Sequence, residues 1–233
     1  MRVLRGLVAA ATLAVAFLAL SAGTSGADRD AVDRPGNEGK PIRVTSTEGI
    51  TLKRVPPDRL EKAQGEKPPA GTLSVHTAQH VEVDGPFYIL NHHNNRCLEG
   101  EGDHHGNGTR VQLWDCDFLH HILYGEDRVF PNQYWWLEIS QDGRIRFRNY
   151  HSDLYMEADP GALGGNGAGV RLWQYAEAPY QWWAMEINPE GYLQILNTAN
   201  WRYLDADITT VGDNGSRVVL WDHEVGGTNQ WWK

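Results

Sequence analysis

One pattern occurs three times in this chain, and a threefold repeat with a period of about fifty residues leaves few folds open. The first copy runs Tyr88, Ile89, Leu90, Asn91, then Cys97, Leu98, Glu99, Asn107, Gly108, Val111, Gln112, Leu113, Trp114 and, after a gap, Asn132, Gln133, Tyr134, Trp135. The second keeps the order with Asn149, Met156, Glu157, Asn166, Gly167, Val170, Arg171, Leu172, Trp173, Tyr180, Gln181, Trp182 and Trp183. The third has Asn197, Leu204, Asp205, Asn214, Gly215, Val218, Val219, Leu220, Trp221, Asn229, Gln230, Trp231 and Trp232. Gln133, Gln181 and Gln230 are 48 and 49 residues apart, whereas Trp114 and Trp173 are 59 apart. An insertion at residues 117–131 of the first copy accounts for the difference.

Within each copy, short alternating runs are separated by turn residues, which predicts four strands and no helix. In Val111, Gln112, Leu113, Trp114, alternation places Val and Leu on one face and Gln and Trp on the other. Trp135, Leu137 and Ile139 share a face, as do Trp183, Met185 and Ile187. Gly143 and Gly191 supply the positive φ needed where the chain reverses. The third copy stops one residue after Trp232, so residues 77–83 are expected to continue where the chain end leaves off. Three equal units closed in this way leave no open sheet edge. The expected fold is all-β: a β-trefoil of three four-stranded repeats, spanning residues 73–233.

The segment ahead of the repeats reads differently. Arg2 and Arg5 precede a largely apolar run from Leu7 to Leu20 and the small residues Ser25, Gly26 and Ala27, the pattern of a signal peptide over residues 1–27. Residues 28–72 are rich in Pro and charge and read as a flexible linker or disordered arm. Within it, Ile50, Leu52 and Val55 suit a short strand and Asp58 to Gln64 a helical turn, too little to stand alone. The expected protein is therefore secreted, with no membrane span. Export allows Cys97 and Cys116, the only cysteines, to form a disulfide, with a free pair as the alternative.

Charge narrows the partners. Residues 87–233 hold 10 Lys or Arg against 20 Asp or Glu. A nucleic-acid partner needs clustered cations to replace released counterions, and this domain would repel it.

The triplets Gln133-Tyr134-Trp135, Gln181-Trp182-Trp183 and Gln230-Trp231-Trp232, in register with three Asn-Gly and three Leu-Trp pairs, resemble the QxW signature of ricin B-type lectin domains. The resemblance covers residues 77–233. It implies glycan or polysaccharide binding, often of galactose type, in shallow pockets, and a disulfide between Cys97 and Cys116. Carried over residue by residue, the first pocket would use Glu99, Gln112, Trp114, Asn132 and Gln133, although the family usually has Asp where Glu99 stands. A second would use Asp205, Trp221, Asn229 and Gln230, with Val219 in place of the matching Gln. In the second repeat Arg171 is placed to neutralise Glu157, which ranks that pocket last. Whether Trp114, Trp173 and Trp221 lie exposed beside a pocket or under a loop stays open.

No nucleophile motif, zinc-protease motif or phosphate loop is present. No catalysis and no cofactor are expected. The pairs His92-His93, His104-His105 and His120-His121 all fall in the first repeat, but adjacent histidines point to opposite faces of a strand and are usually solvated in loops, so no metal site is assigned. The expectation is a monomeric, non-catalytic lectin. The alternative is a trefoil used for protein contact, as an inhibitor or toxin-associated subunit, through the insertion.

Overall fold

The structure, a computed structural model, describes residues 52–65 and 82–233. The leader at 1–27, the rest of the 28–72 segment and residues 77–81 lie outside the described residues. Ahead of the repeats come a two-residue strand, β1 (Lys53–Arg54), and a helix, α1 (Pro57–Gln64). The first repeat comprises β2 (Glu82–Tyr88), β3 (Cys97–Gly100), β4 (Thr109–Trp114) and β5 (Trp135–Ile139). The second comprises β6 (Ile145–Asn149), β7 (Tyr155–Ala158), β8 (Ala168–Trp173) and β9 (Trp183–Ile187). The third has β10 (Leu193–Asn197), β11 (Tyr203–Ala206) and β12 (Ser216–Trp221), and its fourth element shrinks to bridges made by Trp232.

Two closed cycles make this a β-trefoil. In the barrel, each QxW Trp pairs with the residue four before the first-strand Asn of a repeat: Trp135 with Phe87, Trp183 with Ile145, and Trp232 with Leu193. Asn91 pairs with Trp232 as Asn149 pairs with Trp135 and Asn197 with Trp183. In the cap, β4 pairs β8, β8 pairs β12, and β12 returns to β4. The predicted alternation holds on β4, where Val111 and Leu113 are fully buried. One core gathers Trp135, Trp183 and Trp232, and with them Ile89, Phe147 and Ile195 from equivalent first strands. Each of the three Trp indoles donates to a carbonyl, that of Leu98, Met156 or Leu204, so burying the ring leaves no polar atom unpaired.

Three expectations are corrected. Glu82 and Val83 do not continue from the chain end; they pair with Ile139 and Glu138 of β5. The chain end is already satisfied, because Leu90 and Lys233 exchange backbone hydrogen bonds of 2.9 and 3.0 Å, while β5 has an edge that β2 covers. Ile187 does not follow Ile139 into the core; it is 39% exposed, since it lies at the end of its strand and lacks the partner that Glu82 supplies to Ile139. The insertion is not free of helix either. It forms α2 (Asp117–Tyr124), whose two turns are too short to show a clear period among strands.

Part of the expected arm is built into the fold. β1 pairs with β2 at Tyr88 and Phe87, and Val55 and Ala63 are buried in a second cluster with Tyr88, Tyr134 and the disulfide. Arg59 of α1 reaches within 3.4 Å of Asp117, which is fully buried and also accepts from the Tyr88 hydroxyl at 2.6 Å and from the Tyr134 hydroxyl. Cys97 and Cys116 are disulfide-bonded, with Cα atoms 5.1 Å apart, tying β3 to the start of α2.

Candidate functional site

Each repeat builds the same local frame, and the differences between frames decide what each can bind. The QxW Gln is the hub. Gln133, Gln181 and Gln230 accept the backbone N–H of Asp117, Ala176 and Glu224 through their side-chain oxygens. Their amide nitrogens donate to the carbonyls of Asp115, Gln174 and Asp222. The same nitrogens donate to Glu99, Glu157 and Asp205 at 3.0, 2.9 and 2.8 Å. All three Gln are fully buried, so their work is to hold a carboxylate in place rather than to meet a ligand.

What covers the other carboxylate oxygen varies. In the first repeat Gln112 donates to Glu99 Oε1 at 2.9 Å, and Arg110 donates to the oxygen of Gln112 at 2.8 Å. In the second, the Arg171 guanidinium donates to Glu157 Oε1 at 2.9 Å and lies 4.3 Å from the Trp173 ring, so it fills the pocket, as the sequence suggested. In the third, Val219 offers no donor. Asn229 and Gln230 both donate to Asp205 Oδ2, at 2.9 and 2.8 Å, and no described residue bonds to Oδ1. Asn132 occupies the matching place in the first repeat but donates to the Gly100 carbonyl.

Burial pushes the Glu99 carboxyl up to about 7, although Gln112, Gln133 and Asn132 pull it back. Burial also raises Asp205 to about 6 against the pull of Gln230 and Asn229. These acids are costly to ionise in place, and an ionised oxygen without a partner is a strong acceptor for a hydroxyl.

The Leu-Trp tryptophans are exposed at the rim: Trp114 is 37% and Trp221 39% exposed, and Trp173 is half-buried. Each lies against the Asn-Gly turn of a neighbouring repeat. Trp114 packs on Gly215, Trp173 on Gly108 and Trp221 on Gly167, and all three glycines have φ between +84° and +90°. The Asn of each turn accepts the N–H of the residue following the Trp: Asn214 from Asp115, Asn107 from Gln174, Asn166 from Asp222. This cycle is the signal that sequence reasoning passed over. The Asn-Gly pairs count as repeat markers there, yet they seat the Trp of the next repeat.

The histidines serve elsewhere. His92 lies against Tyr192 and Trp231, His93 shares a hydrogen bond of 2.7 Å with Thr228, and His105 lies on His151. Among the described residues no three His, Cys, Asp or Glu side chains are grouped as a metal ion would need. No described helix is long and apolar enough to cross a membrane.

A barrel of β2, β5, β6, β9 and β10, closed by the Trp232 bridges and capped by β4, β8 and β12, defines the described residues as a β-trefoil. Residues 131–221 match the family model for ricin-type beta-trefoil lectin domain-like proteins. The matched residues include Asp205 and Trp221, while Glu99 and Trp114 precede them. The fold is similar to that of ThreeFoil, a designed threefold symmetric protein, at 22% identity and TM-score 0.54, covering 64% of this chain and 97% of that one. It is similar to 1,3Gal43A, an exo-β-1,3-galactanase from Clostridium thermocellum, at 20% identity and TM-score 0.53, over 64% of this chain but only 30% of the galactanase. The Rhizoctonia solani agglutinin matches at 16% identity and TM-score 0.50, over 66% and 93% of the two chains. No curated protein matches the chain.

Proposed function

We propose that this protein is a secreted, monomeric and non-catalytic lectin that binds glycans through its third repeat and, more weakly, its first. The observation that carries the reading is the bare Oδ1 of Asp205, an oxygen of a largely buried carboxylate that Asn229 and Gln230 hold in position through Oδ2, with Trp221 exposed in the same repeat. A sugar ring offers C–H groups to an aromatic face and hydroxyls to a fixed acceptor, and this pair supplies both. In the first repeat Gln112 already covers one oxygen of Glu99, so a sugar there must share an acceptor. Residue types put the first repeat ahead of the third, and here the two exchange places while the second stays last. The domain's acidic balance supports an uncharged or cationic ligand rather than a polyanion, and the basic and apolar residues at the start of the chain support export.

A glycan array probed with the wild type, Trp221→Ala and Trp114→Ala tests the reading. Loss of a stacking aromatic worth about 1.4 kcal/mol is about tenfold in affinity, and Trp221→Ala is expected to show the larger loss. Absence of binding to every glycan would move attention to protein contact, which one feature favours: Ile122, Leu123 and Tyr124 on α2 are 77%, 52% and 56% exposed.

A further inference from the structure

The two departures from threefold symmetry meet on one side of the first repeat. Lys62 of α1 pairs with Asp127 beyond α2, and Arg59 donates to the Arg128 carbonyl at 3.2 Å. Between them and the loop joining β3 to β4 lies a cleft of about 780 Å³. Sites for small organic ligands run from about 300 to 1,000 Å³. The walls set Asp103, His105 and Lys62 around Phe130 and Pro131. Asp103 is exposed and takes part in no hydrogen bond or ion pair among the described residues. Asn132 belongs to both places: it lines the cleft, and its amide donates at 2.7 Å to the carbonyl of Gly100, the residue after Glu99.

We infer that this cleft is a subsite for a second saccharide unit, so that the first repeat takes a glycan chain of two or more units; the inference rests on the glycan-binding reading above. The cleft has what a pyranose needs: an apolar surface for its C–H face, an unengaged carboxylate to accept from hydroxyls, and an imidazole to donate or accept. Two carboxylates in its lining, Asp103 and Asp127, balance two cations, Lys62 and Arg128, with Lys62 paired to Asp127 and Arg128 3.8 Å from Glu126, so the cleft offers no net charge to an ionic ligand and suits a neutral one. Repeats two and three have neither the insertion nor α1 beside them, so the subsite exists once. It also gives the insertion and the described part of the arm a shared purpose, since each contributes one wall.

The test is calorimetry with neutral oligosaccharide series of one to four units, built on galactose, glucose, xylose, mannose and N-acetylglucosamine. It uses the full chain carrying Asp205→Asn, which silences the third repeat, with and without Asp103→Asn and His105→Ala. Both added changes are at exposed side chains, and circular dichroism verifies folding. The expected result is a series in which two or more units bind at least about tenfold more tightly than one, a preference that falls severalfold in either variant. Equal affinity for one unit and for longer chains, a preference untouched by both substitutions, or binding that vanishes with Asp205→Asn alone overturns the subsite and leaves the lectin reading standing. If the unmodified chain binds no series, both fall.

Discussion

Asp205 and Glu99 occupy equivalent places and differ in what surrounds them, which makes their responses to the same chemical change differ. Asn at 205 can keep both existing hydrogen bonds, its oxygen replacing Oδ2 and its amide replacing the bare Oδ1. Gln at 99 cannot, because Gln112 and Gln133 donate to different oxygens and one donor would face an amide N–H. Relief from desolvation is similar for both acids, so Glu99→Gln is expected to be less stable than Asp205→Asn by about 1–3 kcal/mol in urea unfolding at pH 8. Both folded pKa values lie above the usual carboxylate values near 4. The stability these groups contribute is therefore full below about pH 4 and is lost as pH rises through about 6 for Asp205 and about 7 for Glu99. Binding runs the opposite way: a third-repeat site that needs ionised Asp205 weakens as pH falls below about 6, and titration of affinity between pH 5 and 8 checks it. The equivalence of Glu99, Glu157 and Asp205 was legible from the register of the repeats. That Val219 frees an oxygen was not, because a missing polar contact reads in sequence as a lost site.

At the scale of elements, the strands follow from alternation and turn chemistry, which act over a few residues and are written locally. The helix α1 and the strand β1 do not. Their sequence is polar, and its stability comes from Val55 and Ala63 entering a cluster beside the disulfide and from Arg59 reaching buried Asp117, 58 residues further along the chain. Removing one member of a buried ion pair costs about 3–5 kcal/mol. Arg59→Ala is expected to raise amide hydrogen exchange throughout Pro57–Gln64 while the barrel strands stay protected. Unchanged protection in the helix would show that apolar docking alone holds it. The QxW Trp lie in the core, on the face that alternation assigned to them, whereas Gln133 and Gln230, which the resemblance assigned to pockets, are fully buried with their polar atoms bonded, and this is why the triplets mark the fold better than they mark a binding site.

The whole molecule depends on closure, and closure is concentrated at its last residues. Trp232 is fully buried, bridges Asn91 and Leu193, and gives its indole N–H to Leu204, joining the first repeat to the third. Replacing a buried Trp by Ala costs about 3–5 kcal/mol where neighbours cannot collapse into the space. Trp232→Ala is expected to lose that much in thermal or urea unfolding, and to lose first- and third-repeat binding together, because both frames meet at this seam. What the sequence determined by itself was the threefold unit, its strands, its buried Trp and the register of its carboxylates, since periodicity and repetition are local properties copied three times. Only the tertiary structure decided how the ring closes, that part of the arm folds onto the first repeat, and which carboxylate oxygen is left without a partner. Those outcomes depend on contacts between residues distant in the chain, where burial and the supply of hydrogen-bond donors are settled by packing.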